Sequence, residues 1–108
     1  MQRIIPYNID DIAFDPDEIA TMLNDACEHR RVKYTVRGVC QAYERVYFIL
    51  LPMEDDRKPE EYVIKPIEDA SSEGMVAHLE GRWESGFDTV GSIQIEDMVF
   101  GVFAKPPA

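Results

Sequence analysis

A chain of 108 residues is long enough for one hydrophobic core, burying about 65% of the surface that the unfolded chain exposes, and too short for two. Its 45% hydrophobic and 30% charged residues exclude a wholly disordered protein, and no apolar run approaches the roughly 20 residues of a membrane-spanning helix. The formal net charge of -10 argues against nucleic acid and anionic membranes as partners. We expect one domain and, without a signal-peptide pattern, a cytoplasmic location.

The first predicted elements are a strand over residues 3–9 and a helix that begins near Asp15. Asp15 is a suitable N-cap, Pro16 suits the first helical position, and Glu18 can complete a capping box. Hydrophobic residues then recur at the spacing of one buried helix face: Ile19, Met22, Leu23, Ala26 and Cys27.

Two strands complete the first half of the chain. Residues 33–42 alternate between apolar and polar side chains, as a half-buried strand does. Residues 46–51 are hydrophobic at every position, which predicts a strand that is covered on both faces.

The second half repeats this order after a charged linker at residues 53–61. A strand is expected over residues 62–67, a helix over 72–84, and two strands over 87–95 and 98–105. The chain therefore reads as two βαββ units.

The two predicted units span residues 3–52 and 62–106. Their matching segments are Ile4-Ile5-Pro6 with Ile64-Lys65-Pro66, and residues 46–52 with residues 100–106. A duplicated βαββ unit predicts an α+β fold with a mainly antiparallel six-stranded sheet and two helices, ferredoxin-like in style.

A short motif in the second unit combines Leu79, the step Gly86-Phe87-Asp88-Thr89-Val90 and a last strand ending in Phe103-Ala104-Lys105-Pro106. With it, residues 62–106 resemble a small βαββ domain family of uncharacterised bacterial proteins, a domain of unknown function. The resemblance implies a fold and no activity.

Charge is divided unevenly between the two halves. Residues 1–53 contain 6 basic and 8 acidic side chains, whereas residues 54–108 contain 5 and 13. The concentrated basic patch consists of Arg30, Arg31, Lys33 and Arg37. It could bind the acidic half of a neighbouring molecule or an acidic ligand, or could simply complement a helix end and line a solvated strand.

No catalytic or metal-binding motif is present. His29 and His78 lack the context of a nucleophile and its base, and the acidic residues before the first helix lack the spacing of a calcium loop. Cys27 and Cys40 match no metal motif, and we expect both to be reduced and buried. We therefore predict no catalytic residue, metal or cofactor, and consider an enzyme less plausible than a binding protein.

A candidate ligand site arises in the second helix. His78 and Arg82 lie four residues apart and could bind an anion beside Trp83, or could be ordinary flanking groups with Arg82 resting on Trp83. Tyr34 and Tyr47 are the other candidates for the rim of a cavity between sheet and helices. Such a cavity would indicate a small-molecule-binding protein or a cofactor-independent enzyme.

The apolar strands provide the other candidate site. If one face of the sheet meets the helices, a second apolar face is left over, with Ile49, Leu51, Val99 and Phe103 on it. This face must fold against the other half of the chain, pack on a second molecule or line a cavity. Our leading hypothesis is a non-catalytic interaction or assembly module that forms a homodimer or binds another protein. An acidic mimic of nucleic acid is a weaker alternative.

Overall fold

Seven strands and three helices follow one another in residues 1–107, the part of the chain that the computed structural model describes. The first half contains β1 (Arg3–Asn8), α1 (Ile9–Phe14), α2 (Pro16–Ala26), β2 (Glu28–His29), β3 (Val32–Ala42) and β4 (Arg45–Pro52). The second half contains β5 (Glu61–Ile67), α3 (Ser72–Glu84), β6 (Asp88–Ile95) and β7 (Met98–Lys105). None of these helices combines the length and hydrophobicity that crossing a membrane requires.

The strands form two antiparallel sheets, which we call the first and the second sheet. The first has the order β1-β4-β3-β2 and the second the order β5-β7-β6. The α+β class and the antiparallel pairing are as predicted, whereas the expectation of one six-stranded sheet with two helices is wrong. Each half places its last long strand in the middle of its own sheet. The structure does not confirm a ferredoxin-like arrangement, and the duplication stays a prediction.

Side-chain amides bond to both outer edges of the second sheet. At the outer edge of β5, Asn24 of α2 accepts a hydrogen bond from the N–H of Tyr62 at 2.7 Å and donates one to its carbonyl at 2.9 Å. At the outer edge of β6, Gln41 of β3 accepts from the N–H of Gln94 at 3.0 Å and donates to its carbonyl. Both edges of the second sheet thus bond to a side chain where a further strand would otherwise pair.

The core lies between the two sheets and is closed by α1 and α2. Alternate residues of each strand point inward. The inward side chains of the two central strands are Val46, Phe48 and Leu50 from β4 and Phe100, Val102 and Ala104 from β7, and all are buried. Ile12 of α1 and Leu23 of α2 join them with no exposed surface.

A buried phenol links the sheets across this core. The Tyr62 hydroxyl oxygen of β5 accepts a hydrogen bond from the N–H of Val36 at 2.8 Å and lies 3.3 Å from the Thr35 hydroxyl. The register of β3 shifts between Val36 and Gly38, and the hydroxyl satisfies an amide beside this irregularity. Burial raises the pKa of Tyr62, so the phenol stays protonated.

Two short elements were not predicted. Helix α1 begins after Asn8, whose side chain accepts from the N–H of Asp10 at 3.0 Å. Strand β2 is joined to β3 by a two-residue turn in which Arg30 and Arg31 have φ angles of 51° and 69°. This left-handed conformation is usually occupied by Asn or Gly, and here it places two of the predicted basic-patch residues at an exposed hairpin tip.

Candidate functional site

The outward face of the first sheet is apolar and uncovered; we call it the open face. Cross-strand pairs bring Ile4 opposite Ile49 and Cys40 opposite Tyr47, while Leu51 lies opposite Thr35. Ile4 is 52% exposed, and Tyr47, Ile49 and Leu51 are half-buried. The buried residues of α1 and α2 join the core on the other side of this sheet, and α3 packs on the second sheet. An apolar face of this kind is typical of a contact surface.

The charged residues of the three long strands of the first sheet are all basic, while Glu44, in the turn between β3 and β4, lies beside Arg45 and Tyr47. Strands β1, β3 and β4 contain four basic residues and no acidic one: Arg3, Lys33, Arg37 and Arg45. Arg3 turns away and donates to the carbonyl of Ala26 at 3.2 Å. Lys33, Arg37 and Arg45 form no ion pair within residues 1–107. We call these three cations the basic border of the open face; they stand out in a chain of net charge -10.

The outward face of the second sheet is covered by α3. Phe103 is fully buried there, and its ring lies across Gly101, where any side chain would collide with it. The His78 ring stacks on Phe103 with centroids 5.6 Å apart, and the Arg82 guanidinium carbon lies 5.2 Å from the Phe103 centroid. Two polar side chains of α3 thus contact this ring, and Met75 and Leu79 of the same helix are half-buried as well.

The contact between His78 and Arg82 does not produce a paired cationic site. Arg82 Nε donates to His78 Nε2 at 3.2 Å, so the histidine accepts the bond as a neutral ring. Burial and the neighbouring Arg82 charge lower the pKa of His78, which favours this neutral form. Arg82 lies on Phe103 rather than on Trp83, which is 69% exposed on another side of α3.

The five residues predicted to surround a ligand do not converge. Tyr34 packs against the core between the sheets, and Tyr47 lies on the open face. His78 and Arg82 lie under α3 on the far side of the second sheet, and Trp83 points away from them. The space between the sheets is filled by buried side chains, among them Phe48, Tyr62 and Phe100.

The residues predicted to share one interaction face are divided between the sheets. Ile49 and Leu51 lie on the open face, whereas Val99 and Phe103 lie on the outward face of the second sheet. The alternation along each strand is as expected, but the strands belong to different sheets. Within the described residues 1–107, the Ile49 and Leu51 side is the one without a covering helix.

A depression of about 570 Å³ lies where β5 leads into α3, with Ile67, Asp69, Gly74 and His78 among its lining residues. Asp69 accepts from the N–H of Ser71 at 3.0 Å, and the hydrogen bonds from Ser71 lower the pKa of this carboxyl group. Gly74 packs directly against Asp69. The carboxylate thus belongs to the start of α3. No group of three potential metal ligands occurs in residues 1–107.

The two cysteines have opposite environments, which corrects the expectation that both are buried. Cys27 has no exposed surface, and burial raises the pKa of its thiol to about 12. Cys40 is exposed on the open face opposite Tyr47. Both thiols are free.

We expect a thiol-alkylating reagent to modify one cysteine of the native protein rapidly. The thiolate is the reactive form, so Cys40 should react quickly and Cys27 only after unfolding. Mass spectrometry of peptides after a short labelling pulse, with and without urea, measures both rates. Equal rates in the native protein would contradict the buried position of Cys27.

The fold and these surfaces define a small α+β domain of two sheets with one uncovered, basic-bordered apolar face. No protein-family model, curated protein or solved structure matches the chain. The resemblance of residues 62–106 to a bacterial βαββ family stays a prediction. The function must follow from the surfaces of the molecule itself.

Proposed function

We propose that the protein is a non-catalytic assembly module that associates with further copies of itself through the open face. The observation that carries this proposal is the absence of any covering layer over Ile4, Tyr47, Ile49 and Leu51 within residues 1–107. A sheet whose two faces are both apolar requires a layer on each side. Here the chain provides only the inner one.

The charge distribution supports a second copy as the occupant. The open face is bordered by basic residues, whereas residues 54–108 contain 13 acidic and 5 basic side chains. A second molecule therefore brings both apolar surface and opposite charge. Two free cysteines are compatible with the reducing cytoplasm, where we place the protein.

The test is the mass of the protein in solution as a function of concentration. We expect the mass-average molecular weight in sedimentation equilibrium to rise with concentration, and Ile4→Asp to hold the protein in the monomeric state. Ile4 is 52% exposed in an edge strand, so this change should leave the fold intact. Phe14→Asp is the matched control, because it places the same charge on a 90% exposed residue outside the open face.

Alkylation of Cys40 gives a second measurement on the open face itself. The reaction should slow as the wild-type concentration rises and should stay fast in Ile4→Asp. A wild-type protein that remains monomeric at every concentration, with a constant Cys40 rate, would falsify the assembly proposal.

A further inference from the structure

Helix α3 has an apolar stripe that nothing in residues 1–107 covers. No residue of α3 is fully buried, and Val76 and Trp83 are 53% and 69% exposed. They lie seven residues apart, on one face of the helix. We call these two residues the α3 stripe.

Acidic side chains border this stripe. Glu73, Glu80 and Glu84 are exposed on α3, and none forms an ion pair within residues 1–107. Arg82, the basic residue of α3, is turned inward onto Phe103. The helix thus presents exposed apolar groups within a negative border.

The open face and the α3 stripe are complementary in secondary structure and in charge. One is a sheet that lacks a covering helix and has a basic border; the other is a helix with an uncovered apolar stripe and an acidic border. Building on the proposed function, we infer that α3 of one molecule docks on the open face of the next. Each first sheet then gains the helical layer that its own chain does not provide.

The placement of the two surfaces determines the type of assembly. The open face looks outward from the first sheet, and α3 covers the outward face of the second sheet, so the surfaces lie on opposite sides of the core. Two molecules cannot make both contacts with each other at once. The contact is therefore head-to-tail, and it produces open chains or rings instead of a closed dimer.

Two variants, each damaged on one surface, test this arrangement. Ile4→Asp places a charge on the open face and leaves α3 unchanged. Trp83→Ser deletes the aromatic residue of the α3 stripe and leaves the open face unchanged. We expect each variant alone to associate about 30-fold more weakly than wild type, the effect of losing a well-packed aromatic anchor or of placing a charge in the contact. Phe14→Ser is the control for Trp83→Ser, since Phe14 is a 90% exposed aromatic residue outside both surfaces.

Mixing the variants gives the decisive measurement. The intact stripe of Ile4→Asp should dock on the intact open face of Trp83→Ser, and assembly should stop at a one-to-one complex in sedimentation velocity. High salt should weaken this complex, because the borders are oppositely charged.

The other results separate the two proposals. If Ile4→Asp is monomeric while Trp83→Ser associates like wild type, and the mixture forms no one-to-one complex, the open face pairs with itself and the α3 contact is wrong. If Ile4→Asp associates like wild type, or wild type never associates, both proposals fail. Circular dichroism of each variant confirms that it is folded.

Discussion

Phe103→Ala should lower the free energy of unfolding by about 3–5 kcal/mol, the usual cost of deleting a fully buried aromatic side chain. The ring lies between α3 and the second sheet: it contacts His78 and Arg82 of the helix and covers Gly101 of β7. No residue of α3 is itself fully buried, so the substitution removes the most deeply buried side chain at the contact between the helix and the second sheet. Urea denaturation measures the loss, with Phe14→Ala as the exposed control, which should change stability by less than about 0.5 kcal/mol.

The pKa of His78 provides an independent measurement of its stacking on Phe103. Burial is the larger cause of its lowered pKa, so removing the Phe103 ring should raise that pKa towards its usual value of about 6.5. In the wild type, the pKa of His78 is lower in the folded protein than in the unfolded chain. The contribution of His78 to the free energy of unfolding is therefore fully present above about pH 6.5 and is lost as the pH falls through its folded-state pKa. This dependence should be flatter in Phe103→Ala. An NMR titration showing the same His78 pKa in both proteins would contradict the stacking.

Tyr62→Phe should cost about 1–3 kcal/mol although it deletes a single oxygen atom. The ring can stay in place, but the buried N–H of Val36 loses its acceptor at 2.8 Å. The bond is buried, so the cost is that of leaving a buried donor without its acceptor. The same change at Tyr43, which is 97% exposed, should be nearly neutral.

Hydrogen exchange distinguishes this cause from a general loss of packing. The amide of Val36 should exchange faster in Tyr62→Phe by more than the change in global stability explains, whereas amides in β7 should follow global stability alone. A variant as stable as wild type would show that the Tyr62 hydroxyl contributes little to joining the sheets.

Local rules predicted most elements of this fold correctly. The alternation of side chains along β4 and β7 has a period of two, so the residues that share each strand face follow directly from the sequence. The cap at Asp15 and the bounds of α3 also follow from local chemistry, because caps and turn residues act over a few positions.

The division into two sheets could not be predicted in this way. The sheet edges involve contacts that are distant in sequence, since Asn24 and Gln41 bond to backbone groups 38 and 53 positions away along the chain. The residues around Asn24 or Gln41 in the sequence do not show whether the side-chain amide will bond to water or to the edge of a strand. For the same reason, the sequence could not tell which sheet face α3 would cover.

Part of the candidate site was visible in the sequence and part was not. The uninterrupted apolar run in β4 predicted cover on both faces, whereas residues 1–107 cover only the inner one and leave Ile49 and Leu51 on the outward side. Ile4 and Cys40 escaped notice, because their place on that face depends on the pairing of β1 and β3 with β4. The all-basic composition of β1, β3 and β4 could have been found from the strand bounds alone.

The amides at the edges of the second sheet also limit how this protein can aggregate. Because Asn24 and Gln41 each bond to one residue of the outer edges of β5 and β6, an incoming strand would have to displace these amides to extend that sheet. In the first sheet, one edge strand contains Pro6 and the other is only two residues long. Fibres grown from native molecules would therefore be stacks of folded layers, and their X-ray diffraction should lack the meridional reflection at about 4.7 Å that marks cross-β amyloid.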